Sequence, residues 1–120
     1  MAYAAANGFR CVEIMCWPKD NSDARRYAGV SHIDVDALDA AAIKHIKLVQ
    51  QKTGVYISGL GYYPNPLDAT EEQGAFFRAH IQKVIKAAAA LGVPVVNTFI
   101  GRDQSRNIAD NLSKYAEVWP

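Results

Sequence analysis

The stretch from Gly54 to Gly101 constrains the fold most, because it contains a strand, a helix and a second strand together with their connecting loops. The first strand is predicted over 56–61, and Pro64 lies just beyond it, where a strand ladder cannot continue. The second strand is predicted over 93–100, a run so apolar that it is typical of a strand buried on both faces of a parallel sheet. This order predicts a crossover unit in which the two strands run parallel.

A capping pattern and helical spacing mark the helix between these strands. Thr70 is predicted to open the helix, with Gln73 completing a capping box three residues later. Gly92 is predicted to end it. The apolar residues that recur at helical spacing on its inner face are Phe77, Ile81, Val84, Ala88 and Leu91. The histidines on the outer halves of the helices, His45 and His80, are predicted to be solvated.

The flanking segments continue the alternation of strands and helices. Residues 1–8 resemble the last turns of a helix, and residues 10–16 are predicted to form the first strand. A long polar loop covers 19–35, a length that is typical of functional or mobile loops. A helix is then predicted from an N-cap at Asp36 to Gly54. A last helix follows 102–105, and its predicted inner face is Ile108, Leu112, Tyr115 and Trp119.

This element order fits either an open doubly wound sheet or part of a (β/α)8 barrel. Three strands with helices on one side leave two long edges and an uncovered face, which is unfavourable for a sheet this apolar. A helix stub at the start and an end directly after a helix favour a segment of a larger barrel of typically ~250 residues. We therefore expect an α/β fold that is a partial TIM barrel, with about three βα units and a parallel sheet.

Composition and charge exclude several classes of partner. A net charge of +1 over 120 residues offers no broad attraction to a polyanion, so we expect neither nucleic acid nor an anionic membrane as a partner. No apolar run approaches the ~20 residues of a membrane helix. The opening residues do not read as a signal peptide, and we expect a cytoplasmic protein.

The two cysteines are predicted to be reduced thiols. Cys11 and Cys16 lie on one predicted strand at an odd separation, which directs their side chains to opposite faces roughly 16 Å apart. A disulfide needs Cα atoms within ~7 Å, so these two residues cannot form one with each other.

The ends of the predicted strands indicate where a ligand would bind. In parallel α/β folds ligands bind beyond the carboxyl ends of the strands, which here are 15–18, 61–65 and 97–103. These segments carry aromatic rings, amides, one guanidinium and one carboxylate. That mixture suits a small polar ligand such as a sugar.

Five runs of residues carry a resemblance that covers essentially the whole chain: 3–9 with 12–14, then 32–35, 57–65 and 96–103. They resemble the sugar phosphate isomerase/epimerase family, which has the xylose isomerase-like TIM barrel. Inosose dehydratases, tagatose epimerases and endonuclease IV-type enzymes share this barrel. The resemblance implies one partial xylose isomerase-like barrel domain over 1–120, equivalent to the second through fourth βα units.

The resemblance also implies a reaction, which is 1,2-proton transfer or epimerisation on a small sugar or sugar phosphate. Related enzymes hold a divalent metal, Mn, Mg, Co or Zn, through Glu, Asp and His residues in the second half of the barrel. None of those positions exists here, so we expect no metal ligand and no cofactor in this chain, and no activity from it alone. The analogy implies that the substrate-binding residues are Trp17, Tyr62, Asn65, Asn97 and Arg102.

Three polar residues near the first strand have two interpretations each. Glu13, the catalytic candidate, either points into the barrel interior and orients a catalytic group or pairs with a nearby Arg or Lys. The second interpretation is favoured because charges within strands are usually satisfied locally. His32 and Asp34 either bind a ligand or order their loop, and loop ordering is favoured because two residues are too few for a metal site.

The later candidates also have structural alternatives. Asn97 either binds a ligand at the end of its strand or bonds to a neighbouring loop. Arg102 either neutralises an anion or pairs with Asp103. At least one residue of the pair Tyr62 and Tyr63 is expected to pack under the loop.

Two other functions remain open on the sequence alone. One is a non-catalytic module that self-associates through its open sheet edges or pairs with the missing barrel half. The other is abasic-site cleavage of the endonuclease IV type, and the near-neutral charge without a basic stripe argues against it.

Overall fold

The computed structural model describes residues 1–19, 30–68 and 70–119, and over these residues strands and helices alternate. The helices are α1 (Ala2–Ala6), α2 (Ala40–Thr53), α3 (Glu71–Leu91) and α4 (Ile108–Val118). The strands are β1 (Cys11–Met15), β2 (Tyr56–Gly61) and β3 (Val96–Asn97). Among the described residues they form one three-stranded sheet, in the order β1-β2-β3 and parallel throughout, which is not closed. The predicted α/β architecture with a parallel sheet is therefore confirmed.

The predicted helix ends are correct, whereas the predicted starts are correct only in part. Gly54 ends α2 with φ +67° and Gly92 ends α3 with φ +73°, both left-handed conformations that favour glycine. The N-cap of α2 is Asp39 rather than Asp36, and its side chain accepts the Ala42 N–H at 2.7 Å.

Thr70 is the N-cap of α3 as predicted, but the predicted capping box with Gln73 is wrong. Within the described segment 70–119, Thr70 makes no side-chain cap bond to the helix. Its hydroxyl instead donates to the carboxylate of Asp68 at 3.1 Å.

One face of α3 packs on one face of the sheet and forms the core. Ile81, Val84 and Leu91 are buried on this helix face as predicted, and Leu60 and Tyr62 face them from β2 and the residue after it. Burial of a large apolar side chain contributes about 1.5–3 kcal/mol, so this layer is the main stabilising contact that the structure describes.

His80 also lies on the buried face of α3, at 4% exposure, so the prediction that it is solvated is wrong. It precedes Val84 by four residues, which places the two side chains on the same face of the helix. His45 on α2 is exposed as predicted.

A β-bulge in β2 determines which of its side chains face α3. Val12 aligns with Ile57 and Glu13 aligns with Gly59, so Ser58 is an extra residue without a counterpart in β1. Because of this insertion, Ile57 joins the core although it is three residues from Leu60. Gly59 and Gly61 are thereby directed to the opposite face of the sheet, where their neighbours include the side chains of Asn97 and Glu13.

The prediction of a long buried strand over 93–100 is wrong, because β3 contains only Val96 and Asn97. Within the described residues β3 pairs with β2 alone, so its other edge has no neighbouring strand. Phe99 and Ile100 are 60% and 59% exposed. An apolar side chain is suited to burial, but it is buried only where another helix, strand or loop packs against it.

The predicted inner face of α4 is covered only at its end, where Trp119 is half-buried and packs against the core. Ile108 is 76% exposed and Leu112 is 61% exposed. Asn107 caps the helix by accepting the Asp110 N–H at 2.9 Å. Two side chains at this end of the chain bond α4 to the preceding loops. The Lys114 ammonium donates to the Asp68 carbonyl at 2.7 Å, and the Trp119 indole donates to the Ile100 carbonyl at 3.1 Å.

Both cysteines are free thiols, as predicted. Cys11 is half-buried and Cys16 is fully buried, and burial raises the pKa of Cys16 to about 12. None of the helices in the described residues combines the length and apolar character needed to cross a membrane.

Candidate functional site

The face of the sheet opposite α3, called here the open face, carries polar side chains above two glycines. Glu13 comes from β1 and Asn97 from β3, and Gly59 and Gly61 lie between them on β2. A Cβ at Gly59 would be 3.1 Å from Nδ2 of Asn97, and a Cβ at Gly61 would be 2.8 Å from Cε of Met15 and would overlap the Glu13 carboxylate. The two glycines therefore allow the side chains of neighbouring strands to lie directly over β2.

Glu13 is bonded to a tyrosine on this face. The Tyr63 hydroxyl donates a hydrogen bond to Oε1 of Glu13, and the Tyr63 ring packs against Phe99 with centroids 5.1 Å apart. Burial, the hydrogen bond to Glu13 and the negative charge of Glu13 raise the pKa of Tyr63 to about 12. The phenol is therefore protonated at neutral pH and acts as the donor.

The favoured interpretation of Glu13, as a carboxylate paired with an Arg or Lys, is not what the structure shows. The ion pairs of the described residues involve other carboxylates, those of Asp34, Asp36, Glu71 and Asp103. Glu13 instead lies on the open face, as its other interpretation required.

Asn97 lies at the carboxyl end of β3 and is half-buried. Its backbone carbonyl accepts the Tyr62 N–H at 3.0 Å, which continues the pairing of the two strands beyond β2. Among the described residues, its side-chain amide makes no hydrogen bond, and this amide lies over Gly59. The predicted alternative, a bond from this amide to a neighbouring loop, is therefore not present in the described part of the chain.

Trp17 and Tyr62 were expected around the ligand, but they lie in the core on the α3 side. Tyr62 has no exposed surface, and its ring is contacted edge-on by Trp17 at 4.9 Å and by His80 at 4.7 Å. Nε2 of His80 bonds to the Cys16 carbonyl at 2.8 Å. Successive strand residues point to opposite faces, so Tyr63 reaches the open face while Tyr62 packs inside. The expectation that one tyrosine of the pair packs is thus met by Tyr62.

Asn65 joins two loops instead of facing the two glycines. Its Oδ1 accepts the Arg102 N–H at 2.7 Å and its Nδ2 donates to the Arg102 carbonyl at 3.0 Å. Gly101 makes this approach possible, because its φ is +86° and a Cβ there would be 2.8 Å from the Leu67 nitrogen. The amide of Asn65 is used by backbone groups, so the structure gives Asn65 a positioning role for the Arg102 loop.

Arg102 itself is exposed, and Asp103 is not its partner. Asp103 is 2% exposed and pairs with Arg106 at 3.1 Å. Its carboxylate also accepts a hydrogen bond from the Ser105 hydroxyl at 2.6 Å. This hydrogen bond is the largest cause of the lowered pKa of Asp103. In the described part of the chain, the Arg102 guanidinium has no ion-pair partner and is left at the rim of the strand ends.

His32 and Asp34 order their loop, which was the favoured interpretation. Nδ1 of His32 accepts the Met15 N–H at 3.1 Å. Asp34 pairs with Lys19 at 3.0 Å, and the hydrogen bond from Lys19 is the main cause of the lowered pKa of Asp34. The central part of the predicted polar loop, 20–29, lies outside the described residues.

A divalent metal does not fit the residues that the structure describes. Across 1–19, 30–68 and 70–119, no three His, Cys, Asp or Glu side chains lie close enough together to hold a metal ion. Structural and catalytic zinc sites need at least three protein ligands, and Glu13 belongs to no such group within the described segments. The expectation that this chain binds no metal stays a prediction.

The parallel three-stranded sheet, with α3 packed on one face and Glu13 and Asn97 on the other, defines a protein of the α/β class. The family model for the xylose isomerase-like TIM barrel matches residues 1–120, and the chain belongs to that family of sugar isomerases, epimerases and nucleases. A comparison with curated proteins and one with solved structures each give no match.

Proposed function

We propose that this chain forms the substrate-binding wall of a sugar isomerase or epimerase. The observation that supports it is the open face, where the Glu13 carboxylate lies over Gly61 at the carboxyl end of β2 and Asn97 lies at the carboxyl end of β3. A carboxylate accepts hydrogen bonds, and an amide both donates and accepts them. Sugar hydroxyls need partners of both kinds, and in this family of barrels the helix-free side of the sheet faces the interior.

The reaction we propose for the complete barrel is 1,2-proton transfer or epimerisation of a small sugar or sugar phosphate. Proton transfer between two carbons needs an acid and a base, whereas the described open face carries one carboxylate, Glu13. We therefore assign substrate binding to this chain and propose that it is inactive alone. The Mn, Mg, Co or Zn ion expected in the family would need ligands from outside the described residues.

Arg102 is the residue we assign to an anionic group on the sugar. Its guanidinium is exposed, and Asn65 holds its backbone at two points. Guanidinium groups bind phosphate through charge-assisted hydrogen bonds. In the complete barrel we expect Arg102→Ala to weaken binding of a phosphorylated sugar by about 1.5–3 kcal/mol and to change binding of its neutral parent little.

Titration calorimetry with D-fructose, D-fructose 6-phosphate and a DNA duplex with one abasic site tests the proposal. We expect both sugars to bind, the duplex not to bind, and Asn97→Ala to weaken both sugars. Asn7→Ala is the matched control, because Asn7 is exposed after α1, before the amino end of β1. Binding of the abasic duplex without binding of either sugar would favour the nuclease function instead.

The exposed apolar residues support a second proposal, which is assembly. Ile100, Ile108 and Leu112 are each at least 59% exposed, and large exposed apolar patches mark interaction surfaces. We propose that the isolated chain self-associates or pairs with the remaining part of a barrel. A sharp monomer mass in sedimentation at high micromolar concentration, with cooperative unfolding, would contradict this proposal. The cytoplasmic location remains a proposal as well.

A further inference from the structure

We propose that Glu13 and Tyr63 form a subsite that recognises hydroxyl groups in the neutral part of a sugar. Glu13 contacts the ligand, and Tyr63 is a positioning residue that holds the carboxylate. The inference rests on the proposed sugar-binding function, and it adds which part of the ligand lies at which place on the open face.

The hydrogen bond from Tyr63 leaves Glu13 with accepting capacity. The phenol donates to Oε1, so Oε2 remains available for the hydroxyl of a ligand. The carboxylate also lies directly over Gly61, where no Cβ would fit. A side chain held both by the tyrosine and by the strand beneath it is oriented before a ligand arrives, which reduces the cost of ordering it on binding.

An exposed aromatic ring lies beside this carboxylate. Phe99 is 60% exposed and its ring packs against that of Tyr63, with an interplanar angle of 53°. A sugar has hydroxyl groups at its edges and C–H groups on its faces. The carboxylate suits the hydroxyl groups, and the exposed ring offers an apolar surface to the C–H groups.

The charges indicate which end of a phosphorylated sugar this subsite takes. In the described residues Glu13 has no cationic partner, so a phosphate placed beside it would be repelled. The Arg102 guanidinium, by contrast, is exposed and unpaired in the same part of the chain. The hydroxyl-bearing segment therefore lies over Gly61, and the anionic end lies at Arg102.

Two isosteric variants and one control test the subsite by calorimetry with D-fructose, D-fructose 6-phosphate and inorganic phosphate. Glu13→Gln replaces the free acceptor by an amide, and we expect it to weaken both sugars equally, by roughly tenfold, without affecting inorganic phosphate. We expect Tyr63→Phe to weaken both sugars roughly three- to tenfold. Tyr56→Phe, the same change at the amino end of β2, is the control and should leave binding unchanged.

A double variant and a spectroscopic measurement separate positioning from mere packing. Because Tyr63 acts through Glu13, Tyr63→Phe added to Glu13→Gln should cause little further loss. The Cζ carbon resonance of Tyr63 reports its ionisation, and Glu13→Gln should lower the pH at which it ionises, because the negative charge of Glu13, which contributes to the raised pKa of Tyr63, is removed. In the parent chain, D-fructose should shift this resonance saturably.

The possible results distinguish failure of the subsite from failure of the proposed sugar-binding function. Sugar binding by the parent with equal affinity in Glu13→Gln and Tyr63→Phe would overturn the subsite and leave the proposed function standing. No sugar binding by the parent would remove both. If Tyr63→Phe fails to fold, Glu13→Gln and the Tyr63 resonance in the parent still decide, and a resonance that D-fructose does not shift overturns the subsite.

Discussion

Gly101 gives the sharpest test of how the loops at the strand ends are held, because both its backbone and its surroundings exclude a side chain. Its φ is +86°, in the region that favours glycine. A Cβ at this position would be 2.6 Å from Oδ1 of Asn65 and 2.8 Å from the Leu67 nitrogen. Gly101→Ala must therefore strain the backbone and also separate the two loops.

The expected loss of stability has two parts. The left-handed conformation costs a residue with a Cβ about 1–2 kcal/mol. Relieving the contact with Asn65 breaks its two hydrogen bonds to Arg102, at 2.7 and 3.0 Å, each worth about 0.5–1.5 kcal/mol. Together these give a loss of about 2–5 kcal/mol in the free energy of unfolding.

Urea unfolding followed by circular dichroism measures this loss, and Gly92→Ala is the matched control. Gly92 has a similar φ of +73°, but no atom of the described residues lies within 4 Å of a Cβ built there. Gly92→Ala should therefore lose only the part that the left-handed conformation costs, about 1–2 kcal/mol in the free energy of unfolding. Equal losses for the two variants, with an unchanged Arg102 amide resonance in Gly101→Ala, would refute the loop contact.

Three further predictions concern thiol reactivity, acid stability and assembly. Cys16 should react with an alkylating reagent much more slowly than Cys11 at neutral pH, because burial raises the pKa of Cys16 to about 12 and the thiolate is the nucleophile; mass spectrometry after partial labelling checks this, and equal labelling would contradict it. Asp103→Asn should make the urea midpoint less sensitive to acid. The pKa of Asp103 is lowered from 3.8, so its stabilisation is present above that value and is lost as the pH falls through the lowered pKa; an unchanged pH profile would show that Asp103 contributes nothing. Leu112→Lys should reduce self-association in sedimentation while the unfolding midpoint stays within a few degrees, because Leu112 is 61% exposed, and an unchanged mass distribution would place the contact elsewhere.

The sequence was sufficient where local chemistry determines the structure. The core face of α3 follows from helical spacing, and the ends of α2 and α3 follow from Gly54 and Gly92. The same spacing would have identified His80 as buried, since it lies four residues before Val84. Its polar character led to the prediction of a solvated side chain, although a histidine can be buried when a carbonyl accepts from it.

The site was harder to predict because it depends on pairing between strands. β2 has few polar side chains, so its sequence does not distinguish the face toward α3 from the open face. The extra residue at Ser58 also breaks simple alternation along the strand. Of the residues predicted for the site, Glu13 and Asn97 lie on the open face beside the two glycines, whereas Tyr62 lies in the core.

Contacts between loops were the second feature that could not be predicted from the sequence. The two bonds of Asn65 to the Arg102 backbone join residues 37 positions apart, and no local pattern indicates such a contact. The length of β3 was overestimated for a related reason, because pairing on its far edge cannot be read from its own apolar residues.

An amide NMR titration with D-fructose 6-phosphate tests whether the open face of the sheet binds sugar. We predict saturable shifts of the backbone amides of Gly59 and Gly61 and of the side-chain amide of Asn97, which lie together on this face. The amide of His45, on the exposed surface of α2, should not shift. Saturable shifts confined to α2 and α4, or no saturable shifts at all, would contradict sugar binding on the open face.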